Sequence, residues 1–262
     1  MSIYFDNAAT TAMTPEILSL IDELNLSLFG NPSSLHSHGR AARQALNQAR
    51  QTIASVLNAN SEEIIFTSGA TEANSFVFAK LNYDLIITSP AEHSSVIEAA
   101  KASSKAISWL DLDEQGYINL EQLEELLEEN YEQRILLSIM HANNEIGTLQ
   151  DLEAISELKQ KYHNVIWHSD CVQSFAKYPI DVKELSLDLL SASAHKIHGP
   201  KGCGLLYIKK QFQPEQGLII GGGQEFGLRS GTENIVSIIA MAEASKILSK
   251  KVDSLKTLHN YI

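Results

Sequence analysis

The sequence predicts an α/β fold: a mostly parallel central sheet with helices on both faces. Three observations carry this expectation. Short apolar runs of strand length recur between Ile64 and Ile208, and between most of them apolar residues return with the spacing of a helix, which is the alternation of crossover units. The loops that follow the runs hold most of the polar chemistry, as the carboxyl edge of an open α/β sheet requires. Finally, 262 residues with 44% hydrophobic content are enough to build a sizeable core.

The elements follow in order. Thr14 as N-cap and Pro15 in the first turn open a helix with Ile17, Leu18, Ile21, Leu24 and Leu28 on one side, and Gly30-Asn31-Pro32 stops it. A second helix spans about 36–57, with Ala42, Leu46, Ala49, Ile53 and Val56 on a common face. Strands are expected at Ile64–Phe66, Leu85–Ile87, Ile107–Leu110, Ile135–Ile139, Val165–Trp167 and Leu187–Leu190. Helical segments at 96–102, 120–127 and 152–158 lie between them. Gly202-Cys203-Gly204 leads into Leu205–Ile208, a further strand that a tight glycine turn can set antiparallel. A last helix begins near Glu233 and runs to the end. Residues 1–14 are expected to form an arm near the active-site entrance, 15–250 one large domain, and 251–262 the start of a helix leading to a small domain that the sequence does not contain.

Composition narrows the function. There are 32 acidic residues against 20 basic ones, a net charge of −12, so no broad attraction to nucleic acid or anionic membrane is expected. Two cysteines supply neither a metal set nor a disulfide framework, and no signal peptide or transmembrane run is evident. The expected compartment is the cytoplasm.

Ser68-Gly69-Ala70-Thr71 opens a helix, so its backbone N–H groups and the Thr71 hydroxyl form either an anion cradle or an ordinary N-cap with a capping glutamate. No triphosphate or dinucleotide glycine motif accompanies it. Asp170 and Lys196 each follow a strand and can reach one crevice, either as a structural ion pair or as a functional couple. In the functional reading, the desolvated lysine takes up an aldehyde as a Schiff base and the carboxylate keeps a pyridine nitrogen protonated. With a phosphate cradle, that set describes a pyridoxal phosphate pocket. His93 suits stacking on a flat ring or proton transfer, or is simply a surface histidine at a helix start. His195 and His198 lack a carboxylate companion, so no metal site is expected.

These segments occur in a recognisable order: Tyr4–Thr11, Gly30–Ser34, Thr67–Glu72, Ala91–His93, His141–Gly147, His168–Gln173, Ser193–Lys196 with Gly199–Gly202, and Gly221–Glu225 with Arg229–Thr232. In them the chain resembles the pyridoxal-phosphate-dependent cysteine desulfurases of the NifS/IscS class, within the class V aminotransferase superfamily. The resemblance implies that Lys196 carries the cofactor and moves protons at the substrate carbon, that Asp170 faces the pyridine nitrogen, and that Gln173 bonds the phenolic oxygen. It implies that His93 stacks on the ring with an acid/base role, and that Ala70, Thr71, Ser193 and His195 hold the phosphate. Thr232 matches a phosphate ligand supplied by a second subunit, hence a homodimer. Asn144 lies against cofactor and substrate carboxylate, and Asn7 and Ala8 form part of the substrate entrance.

The implied reaction converts L-cysteine to L-alanine. Sulfur passes as a persulfide to an acceptor protein for iron–sulfur cluster assembly or tRNA thiolation. The resemblance departs at one point: the family's nucleophilic cysteine and substrate-binding arginine lie in a C-terminal segment absent here. Cys171 and Cys203 read as small buried residues rather than substitutes. The chain is therefore expected to bind the cofactor and to be weak or inactive by itself. The alternatives are another class V enzyme, such as a selenocysteine lyase or related lyase or aminotransferase, and an inactive scaffold of the same fold.

Overall fold

The computed structural model describes residues 3–250. Seven helices and seven strands follow one another as α1 (Pro15–Ser27), α2 (Ser37–Leu57), β1 (Ile64–Thr67), α3 (Ala70–Lys80), β2 (Leu85–Thr88), α4 (Ser94–Ala102), β3 (Ala106–Trp109), α5 (Leu120–Glu129), β4 (Ile135–Ser138), α6 (Leu152–Lys159), β5 (Val165–Asp170), β6 (Leu189–Ser193), β7 (Gly204–Ile208) and α7 (Ile235–Ser249). Helix starts obey local chemistry. Thr14 accepts from the Ile17 N–H, with Pro15 in the first turn, and Asn119, Asp151 and Asn234 cap α5, α6 and α7 in the same way. The last helix starts at Ile235 rather than Glu233 because Asn234 is the residue whose side chain accepts from Ser237 N–H. The expected helix over 251–262 lies outside the described residues.

The sheet order is β1-β7-β6-β5-β4-β2-β3. β3, β2, β4, β5 and β6 are mutually parallel, and β7 is antiparallel to both β6 and β1. Gly202, with φ +75°, makes the turn that reverses the chain into β7. Alternation along the strands divides the core in two. Ile64, Phe66, Leu85, Ile87, Leu137, Trp167 and Leu205 face α1, α2, α5, α6 and α7. Ile65, Ile86, Leu136, Leu189 and Leu206 face α3 and α4 through Phe76, Val77 and Val96. A sheet covered on both faces buries every strand residue of β1, β2 and β4, which is why these strands read as unbroken apolar runs.

One expected crossover is different. The chain from β5 to β6 contains turns and no regular helix; Cys171, Phe175 and Ala176 pack into the core instead. The result is that Asp170, the last residue of β5, and Lys196, just beyond β6, leave adjacent strands at the same edge.

Candidate active site

A cavity of about 630 Å³ opens at the carboxyl ends of β1, β2, β4, β5 and β6. Each element supplies residues to it: Ser68 to Thr71 after β1, His93 and Ser95 after β2, Met140 and Asn144 after β4, Asp170 and Gln173 from β5, and Ser193, His195 and Lys196 from β6. Ala8, Ala9 and Thr10 of the N-terminal arm form part of the wall. The arm is tied down by side chains of the site itself. The Ala8 carbonyl accepts from Gln173 Nε2 at 2.8 Å and from Lys196 Nζ, Thr11 donates to the His195 carbonyl, and His195 Nδ1 meets Thr10 Oγ1 at 3.1 Å.

The anion end of the cavity is the start of α3. Its N-cap is Gly69, which offers no side-chain acceptor, so the first-turn N–H groups point outward without a cap. A glycine at 204 allows that approach: a Cβ there would lie 2.6 Å from Gly69 Cα. The glutamate of the same turn does cap, but one step earlier. Glu72 accepts from both the N–H and the hydroxyl of Ser68 and is held by Arg229 at 2.9 Å. The capping glutamate is thus seen on Ser68, and the N–H groups of the first turn are left without a side-chain cap beside the cavity.

Asp170 is buried, with Oδ1 accepting from Val172 N–H at 3.0 Å and Oδ2 from Asn74 Nδ2 at 2.9 Å. Burial pushes its carboxyl above the usual carboxylate range, while these two donors and the positive groups nearby pull it back. Lys196 is half-buried, and burial lowers its amine below the usual lysine range against the pull of Asp170 and Asp6. Among the described residues the two form no ion pair within 4.0 Å, though each feels the other's charge, and both line the cavity. His195 is lowered too, first by burial and then by Lys196, Lys201 and Lys177. His93 caps α4, its Nδ1 accepting from Ser95 N–H at 3.1 Å.

Two of the expected residues stand elsewhere. Thr232 is exposed and lines a separate cleft of about 220 Å³, which shares Ser68 and Gly202 with the main cavity. Asn7 is exposed on the arm and does not line the cavity, whereas its neighbour Ala8 does.

Residues that the sequence reading passed over complete the surroundings. Asn74 and Glu92 lie buried behind Asp170. Glu92 accepts from Met140 N–H at 2.6 Å, and burial raises its carboxyl well above the usual range. Asn143 orients the loop before Asn144, donating to the Ala91 carbonyl and accepting from the Glu145 and Ile146 N–H groups. For Asn74 a signal existed: it stands one helical turn beyond Ala70 on the same side of α3. Both cysteines are buried, and burial pushes each thiol up to about 12. Among the described residues, no group of three or more His, Cys, Asp or Glu is placed to hold a metal ion. None of the described helices is long and apolar enough to cross a membrane.

Fold and cavity together are those of an α/β protein with a polar cavity at the carboxyl edge of a mostly parallel sheet. The model of the family Aminotransferase class-V matches residues 3–260, and the chain belongs to that family. It is 40% identical to the cysteine desulfurase IscS of Dictyoglomus turgidum, over 99% of this chain and 68% of that one. Among solved structures it superposes on a NifS-like protein with a TM-score of 0.91 at 38% identity, covering 97% of this chain and 71% of that one. It matches SspA in complex with cysteine with a TM-score of 0.86 at 36% identity, over 94% and 72%.

The family depends on pyridoxal phosphate, and the residues present fit that group. An uncapped helix N-terminus suits the phosphate, a half-buried lysine the aldehyde, and a buried carboxylate the ring nitrogen, all within one cavity of suitable size.

Proposed function

We propose that this chain forms the cofactor-binding part of a cysteine desulfurase, which takes sulfur from L-cysteine and leaves L-alanine. The observation that carries the reading is Lys196 and Asp170 lining one cavity without pairing, beside the open N-terminus of α3. The names of its relatives support the choice of substrate. Pyridoxal phosphate, when bound, supplies an aldehyde that condenses with amines and a protonated ring that withdraws electrons from the substrate carbon.

The chain's own residues do the rest. Lys196 would hold the cofactor, and its amine, which burial lowers, would take and return the proton at the substrate Cα. Asp170 holds the proton at the ring nitrogen. Gln173 would donate to the phenolic oxygen, His93 would stack on the ring, and Ala70, Thr71, Ser193 and His195 would hold the phosphate. Asn144 orients the substrate carboxylate, with Asn7 and Ala8 at the entrance. Thr232, exposed in its neighbouring cleft, serves the phosphate of a second copy in a homodimer.

With both thiols at about 12, neither Cys171 nor Cys203 supplies a thiolate to attack the substrate sulfur. The accepting thiol is therefore one other than these two. From it sulfur passes as persulfide to an acceptor protein serving iron–sulfur assembly or tRNA thiolation. Two unpaired thiols accord with a reducing, cytoplasmic setting. The test is borohydride reduction in the presence of pyridoxal phosphate, followed by peptide mapping. A pyridoxyl group on Lys196 is expected, and one on any other lysine, or none, refutes the assignment.

A further inference from the structure

Behind the cavity, one fully buried side chain bonds to Asp170 directly and to His93 through Ser95, the two groups that the proposed function sets against the cofactor ring. Asn74 of α3 donates from Nδ2 to Asp170 Oδ2 at 2.9 Å and to Ser95 Oγ at 2.8 Å. Ser95 Oγ in turn lies 2.7 Å from His93 Nδ1, and the Ser95 N–H donates to that same nitrogen at 3.1 Å. We propose that Asn74 is a positioning residue that fixes the proton of His93 on Nε2, by tying the imidazole through Ser95 to the Asp170 carboxylate. This deepens the reading of the cavity as a cofactor site and rests on it for its role in catalysis.

The direction of every bond in the chain follows from donor and acceptor chemistry. A carboxylate only accepts, so the Asn74 amide must turn its NH₂ toward Asp170. The opposite orientation would set Oδ1 against a carboxylate oxygen. In the orientation seen, Oδ1 finds no partner among the described residues. The second hydrogen of that NH₂ goes to Ser95 Oγ. Ser95 therefore acts as acceptor toward Asn74 and has its own hydrogen free to donate, and the atom within reach is His93 Nδ1. That nitrogen now receives two donors, the hydroxyl and the backbone N–H, and can carry no proton of its own. In the neutral ring the proton sits on Nε2. A histidine with a defined tautomer presents one kind of group to a ring stacked against it, whereas a freely flipping one presents two.

The same amide also feeds the carboxylate that faces the ring nitrogen. Asn74 thereby couples the carboxylate that would face the ring nitrogen to the imidazole that would stack on the ring, through contacts none of which lies in the cavity wall except Ser95 and the two end residues. A half-satisfied buried amide is a costly way to build a core, and its place between two cavity residues accounts for it.

The experiment reads the tautomer directly, in the 262-residue chain without cofactor. Two-bond ¹H–¹⁵N correlation spectra of ¹⁵N-histidine-labelled protein report which ring nitrogen is protonated, and His93→Gln assigns the signal. The Nε2–H form is expected to dominate; dominance of the Nδ1–H form overturns the proposal. Ser95→Ala and Asn74→Leu should each raise the ratio of Nδ1–H to Nε2–H about fivefold, the worth of one net hydrogen bond. The double variant should go no further than either alone, because the two residues are links of one chain. Should Asn74→Leu fail to fold, Asn74→Ala removes the same amide without adding bulk and gives the same shift. An Asn74 variant that leaves the ratio unmoved while Ser95→Ala shifts it overturns the role of Asn74. Failure of borohydride trapping at Lys196 would instead strike the cofactor reading, and it leaves the tautomer of the free protein untouched.

Discussion

Each end of the β5–β6 pair holds a buried aspartate with lysine nearby, and the two ends treat them in opposite ways. At the amino end of β6, Asp188 is fully buried and compensated: Lys159 lies 2.9 Å from Oδ2, Lys209 3.6 Å from Oδ1, and Trp167 N–H donates at 3.0 Å. At the carboxyl end, Asp170 is just as buried but receives only uncharged N–H donors, and Lys196 reaches the Ala8 carbonyl instead of a carboxylate. The same two residue types thus make a stabilising ion pair at one end and leave unspent charge at the other. A buried charge that is neutralised belongs to the fold, and one that is not belongs to a site.

The largest effect should come from the uncompensated end. Lys196→Ala is expected to abolish the borohydride-trapped adduct and to slow cofactor-dependent exchange of the L-alanine Cα proton by about 10²–10⁴-fold, the usual worth of a general base. Retained exchange at the parent rate would remove Lys196 from the chemistry. At the compensated end, Asp188→Ala leaves Lys159 and Lys209 without their carboxylate and should cost about 3–5 kcal/mol in chemical unfolding. Adduct formation at Lys196 should survive wherever the variant is folded. If unfolding stability barely changes, the contrast between the two ends collapses.

The pH dependence sharpens the same contrast. Burial lowers His141 to about 4 and His168, whose two nitrogens meet Ser138 and Ser191, to about 3. Both values lie below the ordinary 6.5. The stability these neutral rings contribute is therefore present above that pH and lost as pH falls, at up to about 1.4 kcal/mol per unit for each ring. Asp170 has the opposite sign. Its raised carboxyl costs stability at neutral pH, and the cost disappears on acidification through its folded value. Urea unfolding between pH 7 and 4 should show a net acid loss that His168→Gln reduces. A flat profile would contradict the burial of these rings.

Smaller still is Asp170→Asn. Stability at pH 7 should stay within about 1 kcal/mol of the parent or rise, while the absorbance of bound pyridoxal phosphate changes, since a site residue is kept for chemistry rather than for the fold. A loss as large as that of Asp188→Ala would mark Asp170 as structural. The smallest effect concerns the thiols. Iodoacetamide should leave Cys171 and Cys203 unmodified until the chain unfolds, and rapid alkylation of either in the native protein would reopen the question of a resident nucleophile.

Much of this was legible in the chain itself, for physical reasons that are local. Strand runs, helix periods, the Thr14-Pro15 start and the glycine turn before β7 depend on neighbours within a few residues, so the sequence alone determined the α/β class, the elements and the edge on which to look. The order of polar loops likewise brought Lys196, Asp170, His93 and the start of α3 under suspicion together. What tertiary structure decided are the pairings that span the chain. Arg50 with Glu225, buried at 2.6 Å, fastens the Gly221–Gly223 loop to α2, and Glu72 with Arg229 braces the anion loop. The contact of Ala8 with Lys196, and the neglect of Asn7, depend on how the arm lies across β6. Above all, whether Asp170 and Lys196 neutralise each other was open in the sequence, because it depends on distances fixed by strand order. Only the packed sheet, which sends Lys159 and Lys209 to Asp188 and leaves Lys196 facing a cavity, decides which charge stabilises the fold and which is free to act.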